Sequence, residues 1–256
     1  MARPLSQVAH GGARRAGAVR VAGGLGLAAL AWLVVLLVMA LLVAPPDALQ
    51  GQSQRLMYVH VPAAWTAFAA FGVVAGCSVA SLLGGADRAW AVGGAAAELG
   101  VAMTGLTLVV GSLWGRAAWG VWWTWDPRVL STAVLFLVYV AYLAARSLAD
   151  DARWGRRPVA VLGLVGVVLV PVVHFSVLWW RTLHQPPTLL APSAHPPIAP
   201  VMLVTLLIGV LTFSLAGCWY VVRRTVTLLA DDEPGAASEV AESRTLPRAR
   251  RDRSRS

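Results

Sequence analysis

Six apolar runs, each about twenty residues long, dominate the pattern of hydrophobic and polar positions along the chain. A helix needs roughly 20 apolar residues to cross a hydrocarbon core of about 30 Å. The pattern therefore predicts an all-α membrane protein with six transmembrane helices. The predicted spans are about 21–44, 62–83, 93–114, 129–146, 158–180 and 199–222. The first run is longer than the roughly 7–15 apolar residues of a signal peptide, so we predict that it is retained.

The polar ends of the chain flank a single membrane domain, which we place at 21–222. Residues 1–20 form a basic tail. Residues 223–256 are rich in arginine and poor in apolar residues, a composition that does not support a packed core. We therefore predict that this second tail is disordered.

Charge gives the orientation of the spans. All 21 basic residues are arginine, and cytoplasmic loops are the arginine-rich ones. The predicted spans leave only four arginines on the poor side, namely Arg55, Arg116, Arg128 and Arg181. Both termini are therefore predicted to be cytoplasmic, and segments 45–61, 115–128 and 181–198 to face outward. The net charge of +9 follows from this topology, so the sequence does not indicate a nucleic-acid partner.

The outer segment between the third and fourth spans is unusually aromatic. Its sequence, WGRAAWGVWWTWDPR, occupies residues 114–128 (the tryptophan segment) and holds five of the twelve tryptophans. On a helix, Trp119, Trp122 and Trp123 would share one face, with Trp114 and Trp125 extending it. Tryptophan also anchors helices at membrane interfaces. Five in twelve positions exceed that need and favour a platform for a planar ligand, with stacking contacts of ~0.5–1.5 kcal/mol each.

The end of the tryptophan segment allows two interpretations. Asp126 and Pro127 suit the N-cap and first residue of the fourth helix, and Asp126 could equally contact a ligand. Arg128 follows on the arginine-poor side. Its guanidinium is suited to bidentate pairing with a carboxylate.

Two histidines lie on the same predicted side and at similar depth. His60 stands just before Pro62, and His184 follows the fifth span. Singly, each is typical of an interfacial side chain, whereas together they could ligate one metal from opposite sides. His174, inside the fifth span, is expected to be buried and hydrogen-bonded. Haem matches the combination, because its ring stacks, its iron takes imidazole ligands and its propionates pair with arginine.

The tryptophan segment closely resembles the tryptophan-rich WWD signature of haem-handling membrane proteins. The stretches MYVHVPAAW and WWRTLHQ, the chain length and the six spans resemble the haem exporter protein C family within that group, also called cytochrome c maturation protein C. The resemblance covers about residues 20–222. It departs from the family pattern at WDPRVLS and LHQPP and in the long arginine-rich tail.

This resemblance implies that haem b binds at the periplasmic face of a bacterial inner membrane. It implies His60 and His184 as axial ligands, and Arg55 and Arg128 as propionate partners. The implied platform comprises Trp114, Trp119, Trp122, Trp123, Trp125 and Asp126. Implied partners are the haem chaperone (maturation protein E), two ABC transporter subunits (maturation proteins A and B) and the small single-span maturation protein D. The chain itself has no P-loop, and we expect a haem-transfer scaffold and not an enzyme.

Two other functions remain open at this stage. A transporter passing haem through its own helices would have polar or broken helices at mid-membrane. A membrane oxidoreductase would hold haem between histidines inside the spans, where the sequence places only His174. Glu98 lies about one turn from the predicted end of the third span, where we expect its side chain to snorkel to the interface.

Overall fold

The chain folds as six long helices in a computed structural model that describes residues 5–85, 87–149, 155–184 and 198–231. The helices are α1 Leu5–Val38, α2 Met57–Leu82, α3 Asp87–Trp119, α4 Pro127–Ala149, α5 Arg156–Trp179 and α6 Pro200–Asp231. A π-helical turn, Met39–Val43, extends α1, and a 3-10 helix, Gln52–Leu56, precedes α2. All six are long and apolar enough to cross a membrane, and the described ranges hold no strand. The predicted fold is confirmed.

Four of the helices form a closed ring. Helix α2 packs against α3 and α5, and α4 packs against the same two helices from the other side. Helix α6 lies outside the ring against α2 and α3, and α1 packs on α6. The ring encloses an axis on which side chains from four helices meet.

Large aromatic side chains close this axis at its middle. Phe71 and Tyr139 are fully buried and stack with ring centroids 3.6 Å apart and planes 12° from parallel. Glycines on the facing helices make room for them. A Cβ added to Gly166 would lie 2.9 Å from the Tyr139 ring, and one on Gly100 would overlap Phe71. The core is therefore packed against helix backbone, where added volume is poorly tolerated.

Replacing Gly100 with alanine is expected to destabilise the protein by about 1–3 kcal/mol, because the new methyl group would overlap Phe71. Gly72 is the matched control, since no atom lies within 4 Å of a Cβ built there. Gly72→Ala should be neutral or stabilise α2 by up to about 1 kcal/mol. Thermal unfolding midpoints in detergent test both, and equal midpoints for the two variants would contradict this packing.

Helix α2 begins earlier than the sequence predicts. The predicted start at 62 is wrong by five residues, because Pro62 lies inside the helix. Proline has no N–H to donate to the carbonyl four residues earlier, here that of Tyr58. Gly209 of α6 packs closely at this point, where a Cβ would lie 3.0 Å from the Tyr58 oxygen. Tertiary packing thus accommodates an internal proline that reads as a helix start in the sequence.

The helices also run past the predicted boundaries at the other end of the bundle. Helix α1 already begins at Leu5, inside the predicted tail 1–20, and α6 continues to Asp231, so the predicted disorder of residues 223–231 is wrong. Glu98 accepts hydrogen bonds from Tyr220 Oη at 2.8 Å and from Arg224 at 2.7 and 2.9 Å. The sequence analysis did not foresee these partners, which α6 brings to Glu98, and the expectation that Glu98 snorkels to the interface stays a prediction. The rest of the predicted disordered tail, 232–256, lies outside the described residues.

Candidate functional site

Three connections meet at one end of the helix ring. They comprise residues 44–56, 120–126 and 180–184, which correspond to the outer segments predicted from the sequence. Trp114 Nε1 donates to Gln50 Oε1 at 2.6 Å, which joins the first connection to α3. His184 Nδ1 lies 3.1 Å from Asp126 Oδ1, which joins the second to the third. We call this end of the bundle the tryptophan end.

A cavity of about 240 Å³ opens inside the ring at the tryptophan end. Its lining is mainly apolar and aromatic, and it carries the polar side chains Gln50, Thr104, Thr107, Arg128, Thr132, His174 and His184. A second cavity of about 50 Å³ shares Trp119, Arg128 and His184 with the first and reaches Trp122 and Trp123. No aspartate or glutamate of the described residues lines either cavity.

Asp126 both caps a helix and fixes the segment that carries His184. The backbone N–H of Arg128 donates to Asp126 Oδ1 at 2.9 Å, which is the capping bond for α4. The hydroxyl of Thr182 and the backbone N–H of Leu183, at 2.8 Å, donate to Oδ2. The capping interpretation is therefore correct. Asp126 is buried beside the cavity without lining it.

The electrostatics of this pair favour an ionised carboxylate and a neutral imidazole. Burial alone would raise the pKa of Asp126, but the hydrogen bonds from Thr182, Leu183 and Arg128, with His184, hold it below its usual value. Burial lowers the pKa of His184, Asp126 opposes this effect and Arg128 adds to it. A neutral His184 with Nδ1–H donating to Asp126 keeps the lone pair on Nε2. That arrangement is typical of histidine ligands in metal sites.

His60 lies beside the cavity without lining it. Its ring meets Trp114 edge-on, with centroids 5.7 Å apart, and a Cβ on Gly111 would lie 2.8 Å from His60 Cε1. Both Trp114 and Gly111 line the cavity. His60 Nδ1 is buried without a hydrogen-bond partner among the described residues. The structure thus brings His60 close to the site, with Nδ1 unpartnered among the described residues and with the ring hydrogen-bonded to the Thr107 backbone.

The tryptophan segment is helical only in its first part. Helix α3 ends at Trp119, since Gly120 takes a φ of +79° and Arg116 donates to its carbonyl oxygen. The expectation that Trp119, Trp122 and Trp123 share one helical face is therefore wrong. The physical reason is the glycine, which adopts the left-handed conformation that commonly terminates helices.

The tryptophans instead divide between the cavity and the surface. Trp119 packs edge-on against His184 with centroids 5.0 Å apart, and Trp114 lines the cavity. Trp122, Trp123 and Trp125 are 59%, 41% and 79% exposed. The rings of Trp123 and Trp125 pack edge-on, with their centroids 5.9 Å apart. The segment therefore presents an open indole surface next to the cavity mouth.

The two candidate arginines have different surroundings. Arg128 lines both cavities, and its guanidinium forms no hydrogen bond or ion pair with the residues that the structure describes. Arg55 donates to the Ala40 carbonyl and to the Gln52 side chain, and it lines neither cavity. The structure thus brings Arg128, but not Arg55, into the site.

Two residues that matter to the site escaped the sequence analysis, and a third, His174, was not connected with the site. Gln50 accepts a hydrogen bond from Trp114, and Thr182 donates one to Asp126. Of these two residues, only Thr182 had a sequence signal, its proximity to His184 in WWRTLHQ. His174 is buried as expected, but the expected hydrogen bond is absent from Nε2 among the described residues, and the residue lines the cavity.

The chain is similar to known proteins over most of its length. The family model described as heme exporter protein C matches residues 5–238. The chain is 39% identical over 172 residues to the heme exporter protein C of Bradyrhizobium diazoefficiens, a match that covers 67% of this chain and 65% of that protein, slightly under two thirds of its length.

For two further relatives, the match covers a larger share of the relative's length. The heme exporter protein C of Haemophilus influenzae is 37% identical over 197 residues, covering 77% of this chain and 80% of the relative. A protein of Arabidopsis thaliana described as a putative cytochrome c biosynthesis ccmC-like mitochondrial protein is 33% identical over 204 residues, or 79% and 76% of the two chains. Because the family model spans nearly all of the six-helix bundle and the cavity at its tryptophan end, this chain is a multi-pass membrane protein that belongs to the heme exporter protein C family.

Proposed function

We propose that this protein holds haem at the tryptophan end and delivers it for cytochrome c maturation. One observation carries the proposal. The Asp126 carboxylate fixes His184 so that its Nε2 is left as a ligand atom, beside a cavity lined by indoles and an arginine. Haem uses all of these groups, and the names of the related proteins refer to heme export and cytochrome c biosynthesis.

In this proposal His184 and His60 are the axial ligands of the haem iron. His184 already has the orientation that ligation requires. To reach an iron in the cavity mouth, His60 must turn away from Gly111 and Trp114 and release the Thr107 backbone. Arg128 is the propionate partner. Arg55 would first have to release the Ala40 carbonyl, so we assign it a structural role in this state.

The size of the cavity suits partial entry of the porphyrin. At about 240 Å³ it is smaller than the roughly 300–1,000 Å³ typical of sites that enclose a whole ligand. The remainder of the macrocycle would lie against Trp122, Trp123 and Trp125 at the surface. A ligand held in this way keeps one edge accessible to a second protein, as delivery requires.

The closed ring favours holding haem over passing it through the helices. The stacked Phe71 and Tyr139 lie on the ring axis, and neither is exposed. A transporter would need a path past them. No observation favours the electron-transfer alternative.

We infer the location and partners of the site from the arginine distribution and the family. The tryptophan end faces the periplasm across a bacterial inner membrane, with both termini in the cytoplasm. There the protein presents haem b to the haem chaperone (maturation protein E). It works with the ABC subunits A and B and the single-span protein D, as a delivery component and not as an enzyme.

The test is haem transfer to the chaperone, scored as covalent haem on the chaperone after denaturing electrophoresis. Replacing Trp122, Trp123 and Trp125 together with alanine is expected to reduce transfer by tenfold or more. This follows because three stacking contacts of ~0.5–1.5 kcal/mol each are lost and about 1.4 kcal/mol is tenfold. Trp32→Ala on α1 is the control, since Trp32 is exposed and lines neither cavity. Equal transfer by both variants would refute the proposed platform.

A further inference from the structure

Among the described residues that line the cavity, Arg128 is the one that carries a full charge. Its guanidinium makes no ion pair within the described residues. Asp126 is the nearby carboxylate, but its oxygens already accept from Thr182, Leu183, His184 and the Arg128 backbone. The charge of Asp126 attracts Arg128, but no oxygen of Asp126 bonds the guanidinium, so its N–H donors are left for a carboxylate of a ligand.

His174 adds a second polar group to the same wall. The residue is 8% exposed and lines the cavity. The Trp65 ring packs edge-on against the His174 ring, with centroids 5.4 Å apart. Its Nε2 is buried with no hydrogen-bond partner among the described residues. Buried polar atoms in native proteins almost always have a partner. We therefore expect a ligand to supply the missing hydrogen-bond partner of Nε2 when it binds in the cavity.

The remaining polar groups do not supply that partner. Thr104 and Thr107 also line the cavity, but their hydroxyls donate to the carbonyls of Gly100 at 2.7 Å and Met103 at 2.8 Å. Their protons are thus already engaged within α3. His174 and Arg128 line the same cavity, so a ligand held there lies beside both.

We propose that His174 and Arg128 form a carboxylate subsite inside the helix ring, which takes a propionate of haem. The inference rests on the proposed function and adds to it the orientation of the ligand. The propionate edge points into the protein, where the His174 imidazole donates a hydrogen bond and Arg128 supplies the charge. The opposite edge, which carries the vinyl groups, then faces Trp122 and Trp125. His174 is a positioning residue in this scheme and not an iron ligand.

The experiment compares haem with haem dimethyl ester, in which the carboxylates are blocked while ring and iron are unchanged. Soret titrations of the detergent-purified full chain give a dissociation constant for each. The wild type is expected to prefer haem. His174→Phe should lower that preference by roughly tenfold, the effect of losing one hydrogen bond to a charged group, with the Soret wavelength unchanged. His174→Gln keeps an N–H donor and should retain most of the preference.

Thr104→Val is the matched control, because it alters the same lining without removing a donor to the ligand, and it should keep the wild-type ratio. His174→Gln also keeps the test valid if the phenylalanine variant elutes as an aggregate. An unchanged preference in His174→Phe overturns the subsite, and so does a shifted Soret band, which would mean iron ligation. A wild type that binds both forms equally also overturns the subsite alone. Binding of neither form overturns the proposed function with it.

Discussion

The haem Soret band of the purified protein is expected to disappear when His60 and His184 are both replaced with alanine. The two single variants should differ. His184 lines the cavity and is fixed by Asp126, so His184→Ala should lose most of the haem. His60 lies against Gly111 and Trp114 and reaches the iron only after turning, so His60→Ala should retain some haem in a five-coordinate, high-spin form. Absorption spectra and the haem-to-protein ratio measure both effects.

His10→Ala is the control for these variants, because it removes a histidine from the basic N-terminal stretch far along the chain from the site. It should leave the spectrum and the haem content unchanged. An unchanged Soret band in the double variant would exclude both histidines as ligands. A larger loss in His60→Ala than in His184→Ala would mean that His60 holds the iron first, contrary to the geometry of the cavity.

The sequence predicted the parts of the site that depend on topology and local signals. Six alternating spans were enough to place His60, His184 and the tryptophan segment at one end of the bundle. The Asp126–Pro127 pair was enough to indicate a helix start, because capping is a local effect of side chain on backbone. These predictions depended on the alternating direction of the spans and on neighbouring residues, which can be inferred from the sequence without tertiary structure.

The failures are cases in which tertiary contacts decide. Gly120 ends α3 within a stretch whose tryptophan spacing suggested one helical face. Pro62 lies inside α2, at the point where Gly209 of α6 packs against it. Glu98 gained partners because α6 extends beyond its apolar run. His174 could not be connected to the cavity from its position in an apolar stretch. Only the closure of α2 to α5 into a ring shows which helix faces line the cavity.

The pair formed by Asp126 and His184 explains why one carboxylate can serve both stability and haem binding. Its Oδ1 accepts the capping bond from Arg128 and faces His184 Nδ1, while Oδ2 holds the chain at Thr182 and Leu183. The start of α4 and the histidine are thus positioned by the same group. A substitution that retains the cap and removes the charge separates the two roles.

Asp126→Ser is therefore expected to weaken haem binding by ten- to a hundredfold, the usual effect of removing the partner that orients a metal-ligating histidine. Serine is a good N-cap, so the unfolding midpoint should fall little. Asp126→Ala removes the cap as well and should additionally lower stability by about 0.5–2 kcal/mol. Soret titration and thermal unfolding of the same preparations measure the two effects separately.

Asp87→Ser supplies the matched control, because Asp87 also stands at the start of a helix but pairs with Arg156 at the opposite end of the bundle. It should leave haem affinity unchanged, since an exposed ion pair of this kind contributes little. If Asp126→Ser bound haem as the wild type does, the carboxylate would act on haem only through the fold. His184 would then have to be held by Trp119 and the backbone alone, and its Nδ1 contact with Asp126 would not determine which ring nitrogen faces the iron.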